Sequence, residues 1–524
     1  MDLKPRMEMA GKNLLDCLSA ARGYLPYWSL GIDDDRRAEF RMTSPNHNIG
    51  RWWDAVLRLE DATGFVVPAH LEGGMLGNTY AFFDNPDQVC FGPLRPELGE
   101  PIFEIHSLRE GLLALNALAR YRGSEWAVEQ GHRMLESVGR LSDDDGNWDW
   151  DGFEYRRHLQ DALKDDPELL KKRVVETGRV ESHGRLIEAL MWFYESTGDS
   201  LALDLAGRFA RYHLKNSVNV DGTFNDVSNS THTHSYLGML RGLLLYGVTT
   251  GQHEYVDAVA ATYEVTVPRI VKESGWACHD LFVENPTRGE TSSPGDSAQI
   301  ALWLGLHAGR TKHLDDVERI VRSRLLPAQV TEPPPLFPKV DDGAEEHWDL
   351  QRRAVGAIGG MHRGPQSGKA NTTDVTAACL HTLIDVYNNI VVSTDAGLAV
   401  FFHLDYQDEL VTVRSERGEN ARVTVTSTTG QDLLIRIPRW TPARSVRFTH
   451  EGAPVTPSRI GDFAYFPGAS HTHEVVVVYD LPERRTTEVI GDAEHEFSWR
   501  GDEITGVCPN DDWLPFYPTA DGCG

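Results

Sequence analysis

Carboxylates gather at two places in the second half of the sequence, where they could act on a glycosidic bond. The first place holds the carboxylates Asp280, Glu284, Glu290 and Asp296, together with His279 as a further candidate acid. The second place holds Asp374. Glycoside hydrolysis needs two carboxyl groups, one that protonates the leaving oxygen and one that attacks the sugar or activates water. Asp296 fits the simpler role of a helix N-cap. Glu290, within Arg288-Gly-Glu-Thr-Ser-Ser, and Asp374, after Asn371-Thr-Thr, are therefore the leading catalytic candidates.

Four histidines open apolar helical stretches that each end at a glycine one helix-length later. The pairs are His47 and Gly64, His106 and Gly123, His183 and Gly198, and His234 and Gly251. A glycine just past the last periodic residue stops a helix, because it adopts the left-handed conformation without a Cβ clash. The repeat predicts four helices whose N-terminal ends, each with a histidine, surround one pocket.

The helices between and after these stretches complete a ring. Residues 125–138, 201–214 and 255–270 carry apolar side chains at three- and four-residue spacing, which predicts a second helix after each repeated one. Two further inner helices without the histidine start near Asp296 and Asp374. Four plus two gives six inner helices. We therefore expect an (α/α)6 barrel over residues 1–396.

The hydrophobic period changes from helical to alternating at Gly397. Short alternating runs separated by turns predict an antiparallel β-sandwich over residues 397–507, followed by an irregular tail over 508–524. Residues 331–373 are too long and irregular for a simple connection, and we expect them to form a loop over the pocket.

Composition limits the partners and the compartment. The formal net charge of −27 disfavours nucleic acid and anionic membrane surfaces as partners. The N-terminus has no apolar signal core, which favours the cytoplasm. Six scattered cysteines without a Cys-x-x-Cys pair favour reduced thiols. A homodimer is compatible with the sequence, which does not fix the oligomeric state.

A pocket rich in His, Arg, Trp and carboxylates suits a carbohydrate substrate, because indole rings stack on sugar faces while charged side chains bind hydroxyls. The residues expected to bind substrate are His47, Arg51, Trp52, His106, Arg109, His183, Arg185, His232, His234 and Trp276. Trp53 and Trp192 are further candidates. The alternative is structural, since a tryptophan on an amphipathic helix often belongs to the core. The i, i+2 spacing of His232 and His234 could also bind a metal ion, which we consider the weaker interpretation.

Several segments give the chain a family resemblance. They are His183-Gly-Arg-Leu-Ile-Glu-Ala, Glu290-Thr-Ser, Asp315-Asp-Val-Glu-Arg-Ile-Val-Arg and Leu434-Ile-Arg-Ile-Pro-Arg-Trp. With these segments the sequence resembles glycoside hydrolase family 127, the β-L-arabinofuranosidase family. The resemblance implies an (α/α)6 barrel followed by a β-sandwich, with a sugar-cleaving pocket.

The chain departs from this family at the metal site. Characterised members bind zinc through a Glu-x-Cys segment and a Cys-Cys pair, one cysteine of which is the nucleophile. The corresponding positions here are Glu290-Thr291-Ser292 and Asp374-Val375, so the thiolates are absent. We therefore expect no metal or other cofactor, with Asp374 in place of the cysteine nucleophile. Glu290 is its partner, and an acid comes from Asp280, Glu284 or His279.

Two other functions remain open on the same fold. A polysaccharide lyase would abstract a proton next to a uronate carboxylate, using a His or Tyr base and Arg to hold the anion. His183, His234, Tyr236, Arg185 and Arg241 would suit these roles. The other alternative is a sugar-binding protein that kept the pocket and lost catalysis.

Overall fold

The computed structural model describes residues 1–92, 101–225, 230–359, 361–363, 370–468, 472–511 and 513–523. Its helices are α1 (Lys4–Asp16), α2 (Pro45–Thr63), α3 (Ala69–Phe83), α4 (Leu108–Arg122), α5 (Glu125–Leu141), α6 (Glu154–Ala162), α7 (Pro167–Arg173), α8 (Arg185–Thr197), α9 (Ser200–Asn216), α10 (Thr233–Thr250), α11 (His253–Val265), α12 (Val267–Ile270), α13 (Ser292–His307), α14 (Leu314–Ile320), α15 (Leu350–Ala354) and α16 (Thr373–Asn388).

Six of these helices form a closed inner ring. In ring order they are α2, α4, α8, α10, α13 and α16, and each contacts the next until α16 contacts α2 again. An outer layer of helices packs around them, with α5 against α4, α9 against α8, α11 against α10, α14 against α13, and α1 against α16. The predicted (α/α)6 barrel is confirmed.

Glycine ends four of the inner helices, as their sequences predict. Gly64, Gly123, Gly198 and Gly251 follow α2, α4, α8 and α10 with φ of 76°, 60°, 74° and 70°. This left-handed conformation strains residues that carry a Cβ. The histidines lie at the opposite ends: His47 and His234 in the first turns of α2 and α10, and His106 and His183 in the short helical turns just before α4 and α8. All four therefore lie at the same end of the ring.

Inner helices are buried around their full circumference, so they carry polar groups into the barrel interior. In α10, for example, every residue from Thr233 to Gly247 is buried.

Close helix contacts depend on small residues. A Cβ on Gly50 of α2 would lie 1.7 Å from the carbonyl oxygen of Glu110 in α4. Glycine at position 50 thus sets the approach of these two helices.

Short strands complete the barrel domain. They are β1 (Leu18–Ser19), β2 (Leu25–Pro26), β3 (Ser29–Ile32), β4 (Arg37–Arg41), β5 (Phe103–Glu104), β6 (Val174–Val175), β7 (Arg288–Glu290), β8 (Phe337–Pro338), β9 (Met361–Arg363) and β10 (Ala370–Thr372). One sheet has the order β10-β3-β4-β8, and its β10 leads directly into α16. A second pair, β7 with β9, leads into α13. Both sheets therefore fix the start of a helix that carries a candidate carboxylate.

The sandwich contains the strands β11 (Val391–Thr394), β12 (Gly397–Val400), β13 (Tyr406–Gln407), β14 (Val411–Arg417), β15 (Asn420–Ser427), β16 (Leu433–Arg436), β17 (Arg447–His450), β18 (Ala453–Val455), β19 (Ser458–Ile460), β20 (Phe463–Phe466) and β21 (His473–Asp480). Its two sheets have the orders β11-β12-β16-β20-β19 and β13-β14-β15-β21-β17-β18. Alternate valines of β14, β15 and β21 enclose a separate apolar core between the sheets.

A third sheet departs from the predicted range of the sandwich. Its strands are β22 (Glu483–Ile490), β23 (Ala493–Arg500) and β24 (Glu503–Cys508). Their buried side chains, including Phe497 and Trp499, join the apolar core of the barrel and not that of the sandwich. In the structure the sandwich thus occupies residues 391–480, and the third sheet covers the outside of the barrel.

The C-terminal tail corrects the expectation that the cysteines are reduced. Cys508 and Cys523 form a disulfide, with Cα atoms 5.5 Å apart, while Cys17, Cys90, Cys278 and Cys379 are free and buried. Tyr517 donates a hydrogen bond to the Ser323 carbonyl oxygen. The tail is therefore fixed to the barrel as well as to β24.

Ion pairs join the barrel to the sandwich. Arg436 of β16 is buried and donates to the carboxylates of Asp315 and Glu318 in α14. These residues belong to two of the segments that carry the family resemblance, which are thus in contact. Among the described residues, no helix is long and apolar enough to cross a lipid bilayer.

Substituting Gly50 tests the close contact between α2 and α4. Gly50→Ala should lower the free energy of unfolding by about 1–3 kcal/mol or more, because the new Cβ overlaps the backbone of α4. Gly77→Ala is the matched control, since a Cβ there meets nothing within 4 Å in the exposed α3. It should raise the free energy by about 0.5–1 kcal/mol. Denaturant unfolding measures both changes, and equal effects would contradict the assigned packing.

Candidate active site

The N-terminal ends of the inner helices enclose a polar site along the barrel axis. His47 of α2 lies 3.8 Å from Glu110 of α4 and 3.7 Å from Asp374 of α16. His234 of α10 lies 2.5 Å from Asp296 of α13. The carboxylates and histidines that the sequence predicted on separate helices are therefore brought together.

Beneath the site, buried arginines and carboxylates neutralise one another. Arg109 donates to Glu110 and Glu188, Arg185 to Glu110, and Arg241 to Glu188 and Asp296. All of these side chains are at most 3% exposed. Burying a charge is costly unless it is paired and hydrogen-bonded. These pairs therefore fix the rotation of α4, α8, α10 and α13 about their axes.

Asp374 is an ionised carboxylate at the start of α16. Its oxygen Oδ2 faces His47 Nε2, and its buried Oδ1 has no hydrogen-bond partner within the described part of the chain. Burial raises the pKa of Asp374, but His47 and Arg51 outweigh burial and hold this pKa below the usual range. The carboxylate therefore stays charged at neutral pH.

Glu290 lies at the end of β7 between two histidines. Its Oε2 is 2.9 Å from His232 Nε2 and 3.7 Å from His279 Nε2. Burial raises the pKa of Glu290, yet His232, His234 and His279 together hold it well below the usual range. The charge of Glu290 acts in turn on Asp374, whose pKa it raises slightly against the other groups. The two predicted catalytic carboxylates thus share one site.

His234 holds other side chains in place. Its Nδ1 contacts Asp296, and its Nε2 lies 2.6 Å from the Arg51 guanidinium. Burial lowers the pKa of His234 to about 4, so the ring is neutral, donates from Nδ1 and accepts at Nε2. Because both ring nitrogens have protein partners, His234 orients Arg51 and does not face substrate.

Several buried polar atoms around the site form no hydrogen bond with any residue that the structure describes. They are His47 Nδ1, Arg51 Nε, His106 Nδ1, Glu110 Oε2 and Asp374 Oδ1. Buried polar groups in proteins are nearly always hydrogen-bonded to protein, water or a ligand. Their convergence within one pocket is typical of a site that binds a polar ligand.

An aromatic ring borders the same pocket, and the sequence did not single it out. Trp28 is half-buried, and its ring centroid lies 5.4 Å from that of His47. Its carbonyl oxygen accepts a hydrogen bond from the backbone N–H of Thr373, next to Asp374. His106 lies on the other side of His47, with ring centroids 5.0 Å apart. Trp28 therefore offers an apolar face beside the reactive groups.

Some predicted site residues lie elsewhere. The indole of Trp52 is fully buried in the apolar core and donates to the Leu14 carbonyl oxygen, and Trp276 is 1% exposed in the same core. His183 is buried between the Gly146 carbonyl oxygen and His213, and it stacks on Phe209. The structure does not bring these three side chains to the site, because they pack in the core.

The other tryptophans and the loop acids also differ from expectation. Trp53 and Trp192 are buried in the core as well. Glu284 is exposed and, among the residues that the structure describes, forms no hydrogen bond or ion pair. Asp280 is half-exposed at the rim and contacts His279 Nδ1 at 2.8 Å. Arg109 and Arg185 hold Glu110 beneath the pocket. Of the proposed acids, His279 and Asp280 remain at the site.

The residues at the thiolate positions do not fit the zinc centre of the resembled family. Ser292 donates a hydrogen bond to Glu290, and Val375 is buried and apolar. Cys379 is buried too, and burial together with nearby carboxylates raises its pKa well above the usual value. It therefore remains a neutral thiol, so no thiolate cluster forms here.

Two groups of functional residues were missed in the sequence. Glu110 and Glu188 lie within apolar helical stretches. A charged residue on the inward face of such a helix could have marked each of them as a candidate. Trp28 precedes a short strand and belongs to no recognised motif. Each becomes visible only when the ring of helices is closed.

Fold and site together define a six-hairpin barrel with a polar pocket at the helix N-termini and a C-terminal β-sandwich. Among solved structures, the chain is similar to a GH127 β-L-arabinofuranosidase from Geobacillus stearothermophilus T6, with 15% identity and a TM-score of 0.56 over 95% of this chain and 80% of that one. It is also similar to another GH127 β-arabinofuranosidase, with 14% identity and a TM-score of 0.59 over 96% and 81% of the two chains.

These similarities confirm a distant GH127-like fold. A further structure described as a glycoside hydrolase has 13% identity and a TM-score of 0.56 over 87% of this chain and 77% of its own. No protein-family model and no curated protein matches the sequence. At such low identity, the fold is what these proteins share.

Breaking the buried network should destabilise the barrel. Glu188→Gln removes the charge that Arg109 and Arg241 share, and we expect it to lower the free energy of unfolding by about 3–5 kcal/mol. Glu60→Gln, which breaks a partly exposed pair with Arg122, should cost about 0–1 kcal/mol. Denaturant unfolding compares the two variants. Similar losses would show that the buried network does not hold the helices.

Proposed function

We propose that the chain is a glycoside hydrolase in which Asp374 is the reacting carboxylate. The observation that carries the proposal is the buried Oδ1 of Asp374, which forms no hydrogen bond with the described residues and lies near His47 and Arg51. A carboxylate held ionised can attack an anomeric carbon or activate water for that attack. His47, between Asp374 and Glu110, keeps the carboxylate in place.

His279, next to Glu290, is the proton donor in this proposal. Glu290 is unsuited to this role, because neighbouring histidines keep its pKa well below the usual range. His279 is better placed: its Nδ1 contacts Asp280, and its Nε2 points at Glu290. Burial lowers the pKa of His279 from 6.5. The lowered pKa makes the His279 imidazolium a stronger acid than a free histidine, which suits proton donation to a leaving oxygen.

The remaining groups suit a sugar. The Trp28 ring can stack on a sugar face, and the unpaired atoms of His47, His106 and Glu110 can bind hydroxyls. A β-L-arabinofuranoside is the substrate to try first, because the two similar arabinofuranosidases share the fold. The lyase alternative is less favoured, since His183 and His234 have both ring nitrogens occupied and Arg241 is held by Glu188.

Asp374→Asn tests the reacting carboxylate. It should lower kcat/KM on aryl glycosides by about 10²–10⁴-fold while substrate binding and the unfolding midpoint are retained. Glu284→Gln is the matched control and should keep full activity, because Glu284 lies in the exposed loop. Initial rates on a panel that begins with 4-nitrophenyl β-L-arabinofuranoside provide the measurement.

Full activity of Asp374→Asn would overturn the assignment. Binding of sugars without turnover by the wild-type chain would favour the non-catalytic alternative. A product that absorbs in the ultraviolet through a conjugated double bond would identify a lyase instead.

The pH profile tests the division of roles. Asp374 must be ionised and its pKa lies below 3.8, so kcat/KM should fall only under strongly acidic conditions. His279 must be protonated and burial lowers its pKa, so kcat/KM should fall as the pH rises through this lowered pKa, before it reaches 6.5. His279→Gln should remove the alkaline limb along with most of the rate. An unchanged alkaline limb in this variant would exclude His279 as the donor.

A further inference from the structure

Two histidines and one glutamate converge at the rim of the pocket with ligand atoms facing one another. His232 Nε2, His279 Nε2 and Glu290 Oε2 come from three separate segments and lie within 4.8 Å of one another. The two imidazole rings are 4.7 Å apart between centroids. Two imidazole nitrogens and a carboxylate oxygen directed at one point form a typical donor set for a transition-metal ion.

Backbone hydrogen bonds hold the three segments side by side. Thr233 N–H donates to the His279 carbonyl oxygen at 2.9 Å, and His279 N–H donates to the Arg288 carbonyl oxygen at 2.9 Å. Glu290 N–H donates to the Ala277 carbonyl oxygen at 3.1 Å. The three ligand groups are thus positioned by the main chain.

Each ligand group also has a partner on its far side. His232 Nδ1 lies 3.0 Å from Ser235 Oγ, and His279 Nδ1 lies 2.8 Å from Asp280 Oδ1. Ser292 donates to the second oxygen of Glu290. Histidines that bind metals almost always donate their other ring N–H to an oxygen, which fixes the tautomer and leaves the lone pair on the binding nitrogen. Ser235 Oγ and Asp280 Oδ1 are placed to accept such a bond from His232 and His279 once Nε2 of each ring binds a metal.

We propose that His232, His279 and Glu290 bind a divalent transition-metal cation of the zinc type through Nε2, Nε2 and Oε2. Three protein ligands would leave one coordination position open. The side chains of His232 and His279 are 26% and 15% exposed, so solvent or a ligand can reach that position. Calcium and magnesium are disfavoured, because they require a shell of oxygen ligands. The cation and the proton on His279 Nε2 compete for one nitrogen, so the metal-bound protein lacks the proton donor proposed above.

The site is tested by metal binding alone, independently of any hydrolysis. Zn²⁺ is titrated calorimetrically into the full chain after treatment with a chelator, and one equivalent is expected to bind. His279→Gln should weaken Zn²⁺ binding by more than about 100-fold, since loss of an outer partner alone costs about 10–100-fold. Ser235→Ala, which keeps all three ligands, should weaken it by that smaller factor. His158→Gln, at an exposed His–Glu pair, should change nothing.

Two further measurements do not depend on the folding of a variant. Co²⁺ bound to the wild-type chain should give visible absorption bands of a four- or five-coordinate nitrogen–oxygen site. The affinity should fall as the pH is lowered, because protons displace the metal from both imidazoles. Absence of a stoichiometric Zn²⁺ site in the wild type, or equal affinity in His279→Gln, would overturn the proposal whether or not the chain hydrolyses glycosides.

Discussion

The structure depends on the balance of buried charges along the barrel axis. Glu188 stands between Arg109 and Arg241, and Glu110 stands between Arg109 and Arg185. Because an unpaired charge in this interior would cost several kcal/mol, each helix must present its charged residue at one height and one rotation. Apolar contacts alone would allow neighbouring helices to slide or turn relative to one another. The network therefore selects one register for the inner helices that carry it.

The polar groups of the site are atoms that this network leaves without a hydrogen bond. Arginines hold one oxygen of Glu110, while the other forms no hydrogen bond with the described residues. His234 likewise holds a terminal nitrogen of Arg51, whose Nε forms no such hydrogen bond. The same side chains thus stabilise the barrel through one atom and offer the other to the pocket. A site built in this way is rigid before any ligand arrives, so little ordering entropy is lost when a ligand binds.

Much of this architecture could be predicted from local sequence. Four of the six inner helices were predictable because a strong apolar period ends at a glycine, which takes the left-handed conformation that stops a helix. Glu290 and Asp374 could be chosen as candidates because they lie at the starts of two helices within short polar segments. Trp52 could not be assigned, since burial and sugar stacking favour the same residue type. The Cys508–Cys523 bond required knowledge of how the chain returns after β24, which no local pattern carries.

Because of the third sheet, the barrel domain consists of two separate stretches of the sequence. Its strands come last in the sequence, yet Phe497 and Trp499 pack in the apolar core of the helical barrel. In topological terms, the sandwich is an insertion within the barrel domain, which begins before it and resumes after it. A module exchanged for residues 391–480 would therefore have to supply the buried partner that Arg436 gives to Asp315 and Glu318 of the barrel. Truncation after β21 would strip one side of the barrel of its cover and expose apolar surface that invites aggregation.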